Sequence, residues 1–149
     1  MAAEAATAAV GGAPLHEMQT IACVSKGGDL TILDEETVTS LKASLCPTWH
    51  VVEEGKKLQR HFTCKNFAAA LAAVNGFGAV AEEQGHHPDL AITSYRDVTI
   101  TLFTHALGGL SINDFILAAR LDRVPITYSP KWLQQHPDTT AGVGAASAP

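Results

Sequence analysis

Two pairs of short strand-like runs, residues 49–53 with 57–62 and residues 90–95 with 98–105, are each interrupted by only two or three residues. A crossover between parallel strands needs a dozen or more residues, so both pairs must be antiparallel hairpins. Glu54, Gly55 and Lys56 have the length and the glycine of one such turn, and Arg96 with Asp97 forms the tight link of the other. Around the hairpins the apolar period changes from two to that of a helix. Asp34 is placed to cap a first helix with Glu35 and Glu36 in its opening turn, Leu33 and Val38 as a staple, and Val38, Leu41 and Leu45 as its buried stripe, before Pro47 closes it. Phe67, Leu71, Val74, Gly78 and Ala81 recur in steps of four and three along a second helix that ends at Gly85, where the small Ala70, Ala73 and Gly76 let another surface approach. A third helix starts at Ser111, with Asp114 as its capping-box acid, and runs to about Asp122 on Phe115, Leu117, Ala118 and Leu121. The order α-β-β-α-β-β-α predicts an α+β single domain, a four-stranded antiparallel sheet with three helices packed on one face.

At 149 residues the chain suffices for one ordinary domain. A net charge of −5, with no basic run, excludes nucleic acid as a direct partner and gives no attraction to an anionic membrane. The longest uncharged apolar stretch, residues 67–81, falls short of the roughly 18–20 residues that span a bilayer, so a soluble protein is expected. Cys23, Cys46 and Cys64 are odd in number and contain no CxxC, which encodes neither a disulfide framework nor a structural zinc site. Residues 1–24 are expected to be a disordered or weakly ordered extension, 25–136 the folded domain and 137–149 a disordered tail. The Ala- and Gly-rich start, without a basic residue before Pro14, fits neither a secretory nor a transit signal. The expected compartment is the cytoplasm, with a mitochondrion or plastid, after removal of a transit peptide, as the alternative.

Of seven histidines, His86, His87 and His105 gather around the second helix–hairpin junction. Pro88 prevents the helix from continuing, so the adjacent imidazoles leave a fixed corner. Alternation along the fourth strand puts His105 with Thr99 and Thr101, opposite the core face of Val98, Ile100 and Leu102. Imidazole exchanges protons near neutral pH, so a cluster of three suits general acid/base chemistry. Glu82, four residues before His86 on one helix face, is expected to hold that ring in one tautomer. Asp114 can cap its helix and support the cluster at once. Two other readings stand beside this one: a histidine pair that merely complements a helix dipole, and a metal site. Adjacent histidines share one ion awkwardly, and no HxH or HExxH spacing occurs, so no metal is expected. No phosphate loop or Ser or Cys nucleophile signature is present either.

The run Glu82, Glu83, Gln84, Gly85, His86, His87, Pro88, followed by Tyr95, His105 and Asp114, resembles the signature of the pterin-4a-carbinolamine dehydratases. Thr104 to Ser111 likewise reads like that family's loop into its last helix, and the resemblance runs from about residue 30 to 124. It implies a lyase without cofactor that eliminates water from 4a-hydroxytetrahydropterin to give quinonoid dihydropterin, in tetrahydrobiopterin recycling. The implied catalytic residues are His86, His87 and His105, supported by Glu82 and Asp114. The implied pterin-binding residues are His86, His87, Pro88, Tyr95 and His105. The resemblance also implies a homodimer or homotetramer. Because proteins of this fold also serve as dimerisation or assembly cofactors, a protein partner in an assembly or coactivator role is the competing function.

Overall fold

The structure, a computed structural model, describes residues 14–20 and 30–140. Expectations for residues 1–13, 21–29 (Cys23 among them) and 141–149 lie outside the described residues.

Both hairpins form. Trp49–Val52 (β1) pairs antiparallel with Lys57–Thr63 (β2), and Asp89–Thr93 (β3) with Asp97–Leu102 (β4). β2 also pairs antiparallel with β4, which joins them into one sheet of order β1-β2-β4-β3. The second turn is Ser94, Tyr95 and Arg96 rather than Arg96 and Asp97. Ser94 and Tyr95 both adopt positive φ, 46° and 58°, a conformation that the absence of glycine there concealed. Along the sheet, Trp49, Leu58, Phe62, Val98, Ile100 and Leu102 are fully buried and alternate with partly or largely exposed neighbours. One face is therefore the core and the other is left to solvent.

Among the described residues four α-helices accompany the sheet: Glu35–Lys42 (α1), Phe67–Gln84 (α2), Ile112–Leu121 (α3) and the short Pro130–Gln135 (α4). Asp34 caps α1 by accepting the Thr37 amide at 2.8 Å. Bonds from the Thr37 side chain and backbone hold its carboxyl below the ordinary value. Because the folded value is the lower one, the cap's contribution is present above the unfolded carboxyl pKa and is lost as pH falls through the folded one.

On α2 the buried line is Ala70, Ala73, Phe77 and Ala81, whereas Phe67 and Leu71 remain 49% and 41% exposed. The expected stripe thus faces partly outward. This helix is apolar almost all round, so period alone leaves its rotation undetermined, and close packing selects the small residues. Gly76 shows how close. A Cβ there would lie 2.7 Å from Val124 Cγ1, while at Gly78 it would meet nothing within 4 Å. Alanine should therefore act with opposite signs at the two positions. Gly78→Ala should stabilise by roughly 0.5–1 kcal/mol and Gly76→Ala should destabilise by about 1 kcal/mol or more. Urea titration of the two variants checks this, and shifts of the same sign would contradict the packing.

The folded part continues past the expected boundary. Ser129 caps α4, Trp132 stacks between Tyr128 and His136 at 5.5 and 4.1 Å, and residues 137–140 form a 3-10 turn with Thr139 buried. Residues 137–140, expected in the tail, are held in part by the Cys46 thiol, which donates to the Thr139 carbonyl at 2.9 Å. Cys64 is buried too, in an antiparallel bridge with Tyr128 just before α4. Burial, with the charge of Asp97, pushes its thiol up to about 11. At pH 8 Cys64 should therefore react with iodoacetamide at least about a hundredfold more slowly than in the urea-unfolded chain. Equal rates, read by peptide mass, would contradict that burial.

Candidate active site

Helix α2 stops where Gly85 turns left-handed at φ 65°. That conformation is open to glycine at little cost. The Gly85 amide returns to the Glu82 carbonyl and the His86 amide to that of Ala81, so the corner is closed before the chain runs through His87 and the partly exposed Pro88 into β3. This turn corrects one expectation. With His86 off the helix, its partner is Asp114, and Glu82 binds His87 instead.

The two pairs differ in environment. His86 Nε2 donates to Asp114 Oδ1 at 2.6 Å, with the carboxylate fully buried and the imidazole 11% exposed. Asp114 Oδ2 accepts the Ser111 amide and the Thr104 hydroxyl, both at 2.9 Å, and the Thr104 and Ser111 hydroxyls lie 2.6 Å apart. The acid that caps α3 is thus also the acid that fixes His86. Holding Nε2–H leaves Nδ1 as the unprotonated nitrogen of the neutral ring. By contrast, His87 Nε2 meets Glu82 Oε1 at 2.6 Å in the open, the side chains being 62% and 79% exposed.

Asp89 on β3 pairs with Thr101 on β4, so residues 86–88 and 103–105 leave the ladder at the same end. Asp114 spans the two segments, holding His86 on one and Thr104 on the other. Strand alternation persists past β4, with Thr104 buried and His105 exposed. The His105 ring rests on Phe103 at 4.0 Å between centroids, and Lys57 Nζ stands 4.6 Å from the Phe103 centroid. Tyr95 is not brought to this group within the chain. It sits 60% exposed in the β3–β4 turn, separated from His86 by the length of β3, about 17 Å.

Sequence reasoning overlooked Thr104 as a site residue, although its inward register beside His105 was the available signal. On the other side of the loop, a groove of about 610 Å³ is lined by Ile32, Val38, Val51, Lys56, Gly109 and Leu110 among others, with no predicted site residue in its wall. Among the described residues no three His, Cys, Asp or Glu side chains are grouped to hold a metal, and no helix is long and apolar enough to cross a membrane.

Fold and site together define an α+β protein with a carboxylate-backed histidine corner at one end of an antiparallel sheet. The model of the family described as pterin 4 alpha carbinolamine dehydratase matches residues 31–124, and the chain belongs to that family. Two bacterial relatives carry provisional pterin-4-alpha-carbinolamine dehydratase names. The one from Nitrosococcus oceani is 38% identical over 112 residues, 74% of this chain and 97% of that protein. The one from Chlorobium limicola is 43% identical over 108 residues, 71% of this chain and 94% of that protein. A solved structure from Brucella melitensis, described as a transcriptional coactivator/pterin dehydratase, superposes with a TM-score of 0.58 at 26% identity, covering 63% of this chain and 98% of that one.

Proposed function

We propose that the chain is a 4a-hydroxytetrahydrobiopterin dehydratase, which eliminates water from the pterin carbinolamine to give quinonoid dihydropterin by histidine acid/base catalysis, and that it serves tetrahydrobiopterin recycling. The observation that carries this reading is the 2.6 Å His86–Asp114 bond, with the same carboxylate reaching the residue before His105. Elimination requires one proton delivered to the departing C4a hydroxyl, which leaves as water, and one removed from N5 as the new double bond forms. His86, with Nε2–H committed to Asp114, offers Nδ1 to accept the N5 proton, and the buried carboxylate stabilises the imidazolium that results. His105 delivers the proton to the hydroxyl, its ring steadied by Phe103. His87, with Glu82 and Pro88, binds and orients the pterin. Rings on two chain segments thus serve both ends of the elimination without a cofactor.

Stopped-flow decay of chemically generated 4a-hydroxytetrahydropterin tests the reading. The native chain should accelerate it, and an unchanged decay rate would remove the dehydratase assignment. The double description of the Brucella melitensis protein favours a second role as a protein-binding cofactor. Salt-insensitive co-purification of a partner, unaffected by His86→Ala or His105→Ala, would support it. Assembly into a homodimer or homotetramer is part of the same proposal. The outward Phe67 and Leu71 of α2 provide apolar area for contact between copies, and light scattering that returned a monomer mass would refute it.

A further inference from the structure

Residues 14–20 precede the stretch that matches the family, yet they bind both helices that carry the site. Leu15 inserts into the core, 5% exposed. Arg120 on α3 donates to the Met18 carbonyl through Nε at 2.9 Å and through a terminal guanidinium nitrogen. Two residues on, the segment reaches the last residue of α2. The Thr20 amide donates to Gln84 Oε1 at 3.2 Å, Gln84 Nε2 donates to Gln19 Oε1 at 3.3 Å, and the Thr20 hydroxyl donates to the Gln84 carbonyl. Gln84 is only 6% exposed.

The last carbonyls of a helix lack partners within it, and the one at Gln84 is satisfied by Thr20. This carbonyl lies two residues before His86. The segment therefore completes the helix end that aims His86 and His87, and it grips α3, which holds Asp114. Both polar atoms of the buried Gln84 amide are met by the segment, Oε1 by the Thr20 amide and Nε2 by Gln19 Oε1.

We propose that residues 14–20 form a strap that sets the aim of the two histidines toward Asp114 and the substrate, with Gln84 and Thr20 as positioning residues. The consequence for turnover rests on the assignment of His86 to the reacting site, whereas the consequence for the His86–Asp114 bond does not. Small errors of alignment are costly at a proton-transfer site, of the order of a hundredfold for a misplacement of about 1 Å.

The test uses the full chain with Gln84→Leu, which keeps the volume and removes both amide bonds, and Thr20→Val, which removes only the hydroxyl. Two quantities are read: kcat and KM for the carbinolamine, and the NMR signal of the His86 Nε2 proton, which is visible while Asp114 shields it from exchange with water. Gln84→Leu should lower kcat about tenfold with KM changed far less, and should broaden the ring-proton signal. Thr20→Val should move both in the same direction by a smaller factor, and Thr20→Ser should restore native values. Native kcat and a native ring-proton signal in both Gln84→Leu and Thr20→Val would overturn the strap. If Gln84→Leu does not fold, the Thr20 pair decides. If the native chain fails to dehydrate the carbinolamine, the ring-proton signal still decides, since it needs no substrate.

Discussion

Replacing His86 by alanine is expected to lower kcat for carbinolamine dehydration roughly 10²- to 10⁴-fold, the range of a well-placed general acid or base. Asp114→Asn should come close to the same loss. The amide keeps the shape, but its NH₂ would face either His86 or the donors from Thr104 and Ser111, which now converge on the carboxylate. Because the two side chains act as a unit, the double variant should be little worse than the more damaged single one. The outer pair gives the contrast. Glu82 and His87 are mostly exposed, and an ion pair in that setting is worth up to about 1 kcal/mol, so Glu82→Gln should cost no more than about fivefold. Steady-state rates on the four variants decide the matter. Equal losses at Glu82 and Asp114, or full additivity of His86→Ala with Asp114→Asn, would contradict the roles assigned here.

Asp122→Ala should destabilise the fold by about 3–5 kcal/mol and lower Tm by on the order of 10 °C or more. Asp122 and Arg60 face each other at 3.2 Å with side chains each 2% exposed. The carboxylate also accepts the Cys46 amide and the Trp49 indole N–H, both at 2.8 Å, and Arg60 donates further to Thr48 and to the Tyr128 hydroxyl. Burial holds the Asp122 carboxyl above its ordinary value, against the opposing pull of Arg60 and the two N–H donors. Removing the acid leaves a guanidinium in the core without its counter-charge, and that uncompensated burial is the source of the loss. Replacing both partners, Arg60→Met with Asp122→Leu, removes the charge together with its partner and should recover most of the stability. Urea unfolding separates the cases. A single Asp122→Ala variant within about 1 kcal/mol of the native chain would contradict a buried pair.

The same pair shows where sequence reading stops. Arg60 sits between Leu58 and Phe62 on the inner face of β2, and nothing local distinguishes it from a solvent-facing arginine. Its partner is 62 residues away. The histidine corner was more legible because its causes are local: Gly85 stops a helix and Pro88 keeps it stopped. Which carboxylate meets which ring was not legible. Helical spacing pointed Glu82 at His86, and only the left-handed step at Gly85 swings that ring away to Asp114.

Short connections determined the antiparallel hairpins, and caps and stops determined the starts of α1 and α3, because both depend on a handful of neighbouring residues. The rotation of α2, the seating of residues 14–20 and 137–140 and the burial of Arg60 were decided by tertiary structure. Each depends on which surface lies opposite. A chain's own periodicity specifies a face of an element, whereas close packing and the pairing of buried charge choose what that face will meet.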